Sequence, residues 1–444
     1  MVLNFCLFIH LFYLYTSNIK EMSELLEKSK NRLATMRMLL ILTALLTFGL
    51  TGSFAESNDN QKTKSGHDKN QVGTWSTAPQ LVEIKNMPPE PGLANNTLRQ
   101  VVRVSIGGKK LQLKFSNEFS AGDLQLKSVQ IAASTGGGNI DPSTVKQLKF
   151  NGRPDVIINP GMAIYCDPVS FNLKPRTDLA ITIYYGEVPQ DLTGHPGSRT
   201  TSYILAGNKI SSSDFSGAVP TDHWYTIKGI DVKSSKSAAV AIIGNSITDG
   251  RGSGTNKQNR WPDILSERLL KSSSTDKVGV LNLGIGGNCV LKTCLGPAAL
   301  NRFERDIINQ HGVRWLIILE GVNDIGQTPD SLAAIQVANG LIEAYKKMAD
   351  EAHARNIKVY GATILPFGKS FYYTGFREEA RKIVNEWIRR SDCFDAVIDF
   401  DKALRDPSDP VSLMPELQSG DFLHPNENGY KMMGEAIDLK LFER

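Results

Sequence analysis

The rhythm of hydrophobic positions changes once along this chain. From Thr74 to about Lys233, short apolar runs alternate with polar residues at the period of two that marks half-buried strands. Arg99–Ile106 (RQVVRVSI) and Lys109–Phe115 flank Gly107-Gly108, a pair that predicts a two-residue hairpin. Leu124–Ala133 and Asp178–Tyr185 (DLAITIYY) read as further strands, separated by loops rich in Gly, Pro, Asn and Ser. No long amphipathic helix interrupts them. The expectation is an antiparallel β sandwich or jelly roll over residues 74–235.

After Lys233-Ser-Ser-Lys-Ser the period lengthens. Apolar runs at Ala238–Ile243, Val278–Leu283, Trp315–Leu319, Val359–Ile364 and Ala396–Phe400 alternate with helical segments. The helical segments are Pro262–Leu270, Pro297–Asn309, Ser331–Arg355, Arg377–Arg390 and Glu427–Leu441. Within Ser331–Arg355, Ala334, Val337, Ala338, Leu341, Tyr345 and Met348 recur at spacings of three and four. Strand–helix alternation predicts a parallel sheet over 236–444, with right-handed crossovers, helices on both faces and a site at the strand C-termini.

Composition narrows the classes. With 41% hydrophobic and 22% charged residues, the chain is neither disordered nor collagenous, and 5 Cys in 444 residues make no disulfide scaffold. A net charge of +4 with no dense Lys/Arg run makes nucleic acid an unexpected partner. Met36-Arg37-Met38 leads into LLILTALLTFGLTG and Ser53-Phe54-Ala55, the pattern of a secretory signal peptide cut after Ala55. The apolar run falls short of the ~20 residues of a membrane span, so a secreted or periplasmic protein without a stable membrane anchor is expected. Residues 1–35 read as an upstream extension and 56–73 as a flexible polar linker. Cys166, Cys289, Cys294 and Cys393 follow the leader; Cys289 and Cys294 are close enough in sequence to bridge, and no Cys/His quartet has zinc spacing.

Four segments at strand ends carry candidate chemistry. Gly244-Asn245-Ser246-Ile247-Thr248-Asp249-Gly250 places a Ser on a strand-to-loop turn, where it either projects a nucleophilic hydroxyl or caps the next segment. Asn282-Leu-Gly284-Ile-Gly286-Gly287-Asn288 clusters glycines whose N–H groups can approach a ligand, or simply turns tightly; it has neither a phosphate-loop Lys nor dinucleotide spacing. Gly321-Val-Asn323-Asp324 offers an amide donor or a closed turn. In Asp421-Phe-Leu-His424-Pro425, an Asp three residues before a His can hold its Nδ1, which leaves Nε2 as a base. Together these supply nucleophile, base, orienting acid and oxyanion donors, the set that acyl transfer requires.

The ordered motifs GNSITDG, NLGIGGN, GVND and DFLHP resemble those of the SGNH hydrolases, also called GDSL-type esterases and lipases, over about Ala238 to Leu441. Arg260-Trp261-Pro262 and Gly296-Pro297 look like the bacterial secreted subgroup with an added N-terminal β domain. The resemblance implies a flavodoxin-like doubly wound sheet. It also implies Ser246 as nucleophile, His424 with Asp421 as base pair, and Ser246, Gly287 and Asn323 around the oxyanion. One departure stands out: the family's Gly-Asp-Ser is Gly-Asn-Ser here, with Asn245. The implied reaction is hydrolysis of a small-molecule or polysaccharide O-acyl ester, acetyl first, without metal or organic cofactor. Lipase, lysophospholipase and thioesterase activity are the alternatives within the family, and a non-catalytic glycan-binding protein is the alternative outside it. Trp75, Trp224 and Tyr225 are candidates for stacking on sugar rings or for core packing.

Overall fold

The computed structural model describes residues 70–443. The leader expected at 1–55 lies outside the described residues. Of the linker expected at 56–73, the last residues are strand: Gln71–Ser76 pairs with Ile227–Lys233, because Val72 is buried and its ladder partner Val232 is too.

Residues 71–233 fold into antiparallel sheets. One sheet orders Gln71–Ser76, Ile227–Lys233, Gly108–Ser116 and Val169–Leu173; the larger one centres on Thr97–Arg103, Asp178–Tyr185 and Leu124–Gly136. Both bury apolar faces in a shared core, with Leu113 and Phe115 from the first and Val102, Ile131 and Ile181 from the second.

The Gly107-Gly108 hairpin does not form. Thr97–Arg103 and Gly108–Ser116 are strands, but they lie in different sheets, and Gly107 is the crossing point. A Cβ at Gly107 would stand 2.4 Å from the Leu173 carbonyl oxygen, so glycine is required for close backbone approach and not for a reverse turn.

Residues 238–398 contain a five-stranded parallel sheet in the order Val278–Gly284, Ala238–Gly244, Val313–Leu319, Lys358–Ala362, Ala396–Ile398. Numbered along the chain this is 2-1-3-4-5, the flavodoxin-like doubly wound order. Ala238–Gly244 is buried at every position, as a central strand covered on both faces must be. The helices expected from periodicity form at Trp261–Lys271, Ser331–His353 and Gly375–Arg390, and Asp330 and Thr374 cap the last two through side-chain oxygens. The helix expected at Pro297–Asn309 is a short α-helix, Ala299–Phe303, that widens into a π-helical turn over Glu304–Ile308. The fifth ends early: Glu427–Ala436 is α-helical, and Leu439–Phe442 tightens to a 3-10 turn.

The antiparallel part is pressed onto the edge of the parallel sheet. Gly73 lets its backbone meet Leu281, and a Cβ on Gly279 would stand 2.4 Å from the Gly73 carbonyl oxygen. Ser105 Oγ accepts from the Val280 N–H at 3.0 Å. One apolar core runs through both parts, and the described residues form one compact unit. Trp75, Trp224 and Tyr225 are spent in this packing. Trp75 and Trp224 meet edge to face, Trp224 Nε1 donates to the Val101 carbonyl and the Tyr225 hydroxyl to the Asn86 carbonyl, so they present no open sugar-binding face. Among the described residues no helix is long and apolar enough to cross a membrane.

Candidate active site

The central strand ends at Gly244, where a Cβ would stand 2.1 Å from Thr248 Oγ1, so only glycine lets the chain turn back there. Asn245 Oδ1 then accepts from the Ile247 N–H at 3.0 Å and caps the one-turn helix Ser246–Asp249. Asn and Asp cap equally well, so the Gly-Asn-Ser departure leaves the turn intact. The cap is Asn245, and Ser246 is free for other work.

The Ser246 hydroxyl lies 2.8 Å from His424 Nε2, across 178 residues of sequence. His424 Nδ1 lies 2.7 Å from Asp421 Oδ2. The tautomer that satisfies both contacts carries its proton on Nδ1 and accepts the serine proton at Nε2. The other Asp421 oxygen accepts the His424 and Leu423 N–H groups at 2.9 and 3.1 Å. Partial burial works to raise the Asp421 carboxyl, but the His424 and Leu423 hydrogen bonds outweigh it and hold the group at about 2. Burial depresses His424, Asp421 pushes it back up, and Arg251 and Arg199 lower it further; the net direction is below 6.5.

The glycine loop faces this pair. Gly287 has φ of 71°, and a Cβ there would meet Leu295 at 2.7 Å. Buried Arg302 braces the loop from below, donating to Asn288 Oδ1 at 2.9 Å and to the Leu283 carbonyl at 2.7 Å. Asn288 Nδ2 donates to the Leu295 and Pro297 carbonyls. A disulfide joins Cys289 to Cys294 and closes the same loop. Asp324 anchors its far side by accepting the Val290 and Leu291 N–H groups.

Asn323 is 4% exposed, and its amide is held at both ends: Nδ2 donates to the Asn288 carbonyl at 2.7 Å and the Tyr372 hydroxyl donates to Oδ1 at 3.1 Å. One Nδ2 hydrogen is left over. Ser246, Gly287, Asn323 and His424 line one cleft of about 410 Å³. All five residues singled out from sequence are thus brought together, four on the cleft wall and Asp421 behind His424. Among the described residues no group of three or more His, Cys, Asp or Glu side chains is placed to hold a metal.

Sequence reading missed the part of this site that the antiparallel region builds. Gln80, Glu83, Pro196, Arg199 and His223 line the same cleft. His195, buried, sets its Nε2 2.8 Å from Asp249 Oδ1 and donates from Nδ1 to the Ala78 carbonyl, which ties the antiparallel region to the helix that carries Ser246. Asp249 lies inside GNSITDG, but a partner 54 residues upstream in a strand leaves no spacing signal.

Residues 242–432, from the central strand into the last helix, match the family model described as GDSL-like Lipase/Acylhydrolase. That span contains Ser246, Gly287, Asn323, Asp421 and His424. Residues 242–432 are a GDSL-like lipase/acylhydrolase domain. The protein is accordingly a carboxylic ester hydrolase. No curated protein matches the chain. Solved structures similar to the GDSL-like domain include a GDSL-like lipase from Bacteroides thetaiotaomicron, 21% identical, with 45% of this chain and 84% of that chain covered at a TM-score of 0.33. An acetyl xylan esterase, AlAXEase, is 20% identical with 45% and 96% covered at 0.35. A catalytic mutant of an acetylxylan esterase from Geobacillus stearothermophilus is 18% identical with 45% and 93% covered at 0.35.

Proposed function

We propose that this enzyme hydrolyses short-acyl O-esters of carbohydrates through an acyl-enzyme on Ser246. The observation that carries the reading is the unbroken chain Ser246–His424–Asp421 in a cleft that also holds Gly287 and Asn323. His424 Nε2 takes the hydroxyl proton as Ser246 Oγ bonds to the ester carbonyl carbon, and Asp421 stabilises the imidazolium. The Ser246 and Gly287 N–H groups and the spare Asn323 amide hydrogen meet the oxyanion, each donor contributing ~3 kcal/mol in the transition state. The imidazolium returns the proton to the leaving alcohol, and water repeats the sequence to release the acid and free Ser246.

The carbohydrate reading rests on the residues that line the cleft. Gln80, Asn86, His223 and Arg251 bring hydrogen-bonding groups to its wall, and Phe371, 70% exposed, offers an aromatic face. The export leader expected from sequence would place the enzyme where polysaccharides are met. The test is a series of p-nitrophenyl esters of increasing chain length. Acetate is expected to be the best acyl group, with activity falling steeply beyond about four carbons, because a shallow pocket cannot bury further methylenes at ~0.8 kcal/mol each. A preference for eight carbons or longer would replace the carbohydrate by a lipid and leave the serine mechanism standing.

The direction of the His424 shift sets the pH profile. The base works when neutral, so activity rises with pH through its pKa and is fully present above it. Because burial depresses that pKa, the midpoint of the acid limb of kcat/KM is expected below pH 6.5. A midpoint at pH 7 or higher would mean that another group titrates.

A further inference from the structure

Each carboxylate that lines the cleft has a partner. Glu83 accepts from Gln80 Nε2 and Asn86 Nδ2, both at 2.8 Å; Asp249 Oδ1 is held by His195, while its Oδ2 is buried with no hydrogen-bond partner. The cations are not. Arg199 and Arg251 line the cleft with Ser246 and His424, and no ion pair or side-chain hydrogen bond engages either guanidinium among the described residues. The Arg199 Nε is buried with no hydrogen-bond partner. Arg199 also sits at φ of 50°, the left-handed region that a side chain occupies only at a cost, with its carbonyl held by the Asn256 N–H. Arg251 follows Gly250 at the end of the Ser246 helix; its N–H donates to the Ser246 carbonyl and its carbonyl accepts from the Tyr430 hydroxyl. Both backbones are therefore fixed, and a third cation, Lys85, lines the same cleft.

We propose that Arg199 and Arg251 form an anion subsite beside the catalytic serine, so that the preferred substrate is an acylated saccharide carrying a carboxylate or sulfate near the ester. The inference rests on the ester-hydrolase reading of this cleft and adds the chemical class of the alcohol. Planar guanidiniums match both oxyanions with paired N–H donors. Charge gives a second reason. Two cations near His424 oppose the imidazolium that acyl transfer needs, and Asp421 alone offsets them. A bound anion cancels that field, so the subsite favours reaction only when an acidic substrate fills it.

The full chain would be assayed on an acetylated galacturonic acid glycoside, on the same glycoside with its carboxylate converted to the amide, and on an acetylated galactose sulfate. The expected kcat/KM for the carboxylate or the sulfate exceeds that for the amide about tenfold per engaged guanidinium, and the excess shrinks as salt is raised. Whichever anion is favoured names the source. Arg199→Gln and Arg251→Gln should each lower the anion-to-amide ratio, and the Lys variants should restore part of it. Equal turnover of anionic and neutral esters, or a ratio unchanged in both Gln variants, overturns the subsite. If no ester is cleaved, p-nitrophenyl acetate included, it is the hydrolase reading that fails. Calorimetric binding of galacturonate against galacturonamide to the full chain then decides the subsite without turnover, and decides it as well if the variants do not fold. Tighter galacturonate supports it, and equal affinity rejects it.

Discussion

Ser246→Ala and His424→Ala are each expected to lower kcat by about 10⁴–10⁶, and the double variant by little more than either alone. The physical reason is the single chain of contacts. With Ser246 gone, the 2.8 Å contact at Nε2 has no nucleophile to activate; with His424 gone, the hydroxyl keeps its proton. Neither loss is partial, and neither adds to the other. The unfolding midpoint should move little for Ser246→Ala, since one hydroxyl at the end of a strand supports no packing. The measurement is single-turnover release of p-nitrophenol together with thermal unfolding. Activity within tenfold of the parent in either folded variant would remove that residue from the reaction.

The second large effect is at Asn323. Asn323→Ala should cost ~10²–10³ in kcat through the lost oxyanion donor, while KM for a small ester changes far less, because the donor works on charge that develops only in the transition state. The amide is well placed to show this, since the Asn288 carbonyl and the Tyr372 hydroxyl set its orientation from both ends. Asn323→Asp is the informative companion: it keeps the volume but replaces the donor by acceptors, and should be at least as damaging as alanine. Full activity in Asn323→Ala would leave the oxyanion to the two backbone N–H groups.

The antiparallel region supplies one wall of the cleft and holds the helix of Ser246 through His195 and Asp249. Under the proposed mechanism its contribution is positional, and in Arg199 it is also electrostatic.

What the sequence determined by itself is what local order encodes. Buried parallel strands must be apolar throughout, and helices must repeat every three or four residues, so the strands from Ala238 onward and the helix from Ser331 were legible from pattern alone. The candidate site motifs were legible because each places its residues within a few positions: Asn245 beside Ser246, and Asp421 three residues before His424. Tertiary structure decided everything that depends on which faces come together. Gly107-Gly108 has the composition of a hairpin, yet the strands around it go to different sheets, because local turn chemistry cannot say which partner buries a face best. Cys289 and Cys294 were a possible pair by proximity, and the fold of the glycine loop is what joins them. Trp75, Trp224 and Tyr225 had the chemistry of a sugar platform, and burial assigned them to the core. Arg199 and Arg251 lie 52 positions apart and look like ordinary surface charges in the chain. Only folding sets them together in one cleft and commits its carboxylates to other partners, and unpaired charge is a property of neighbours in space that no spacing along a sequence records.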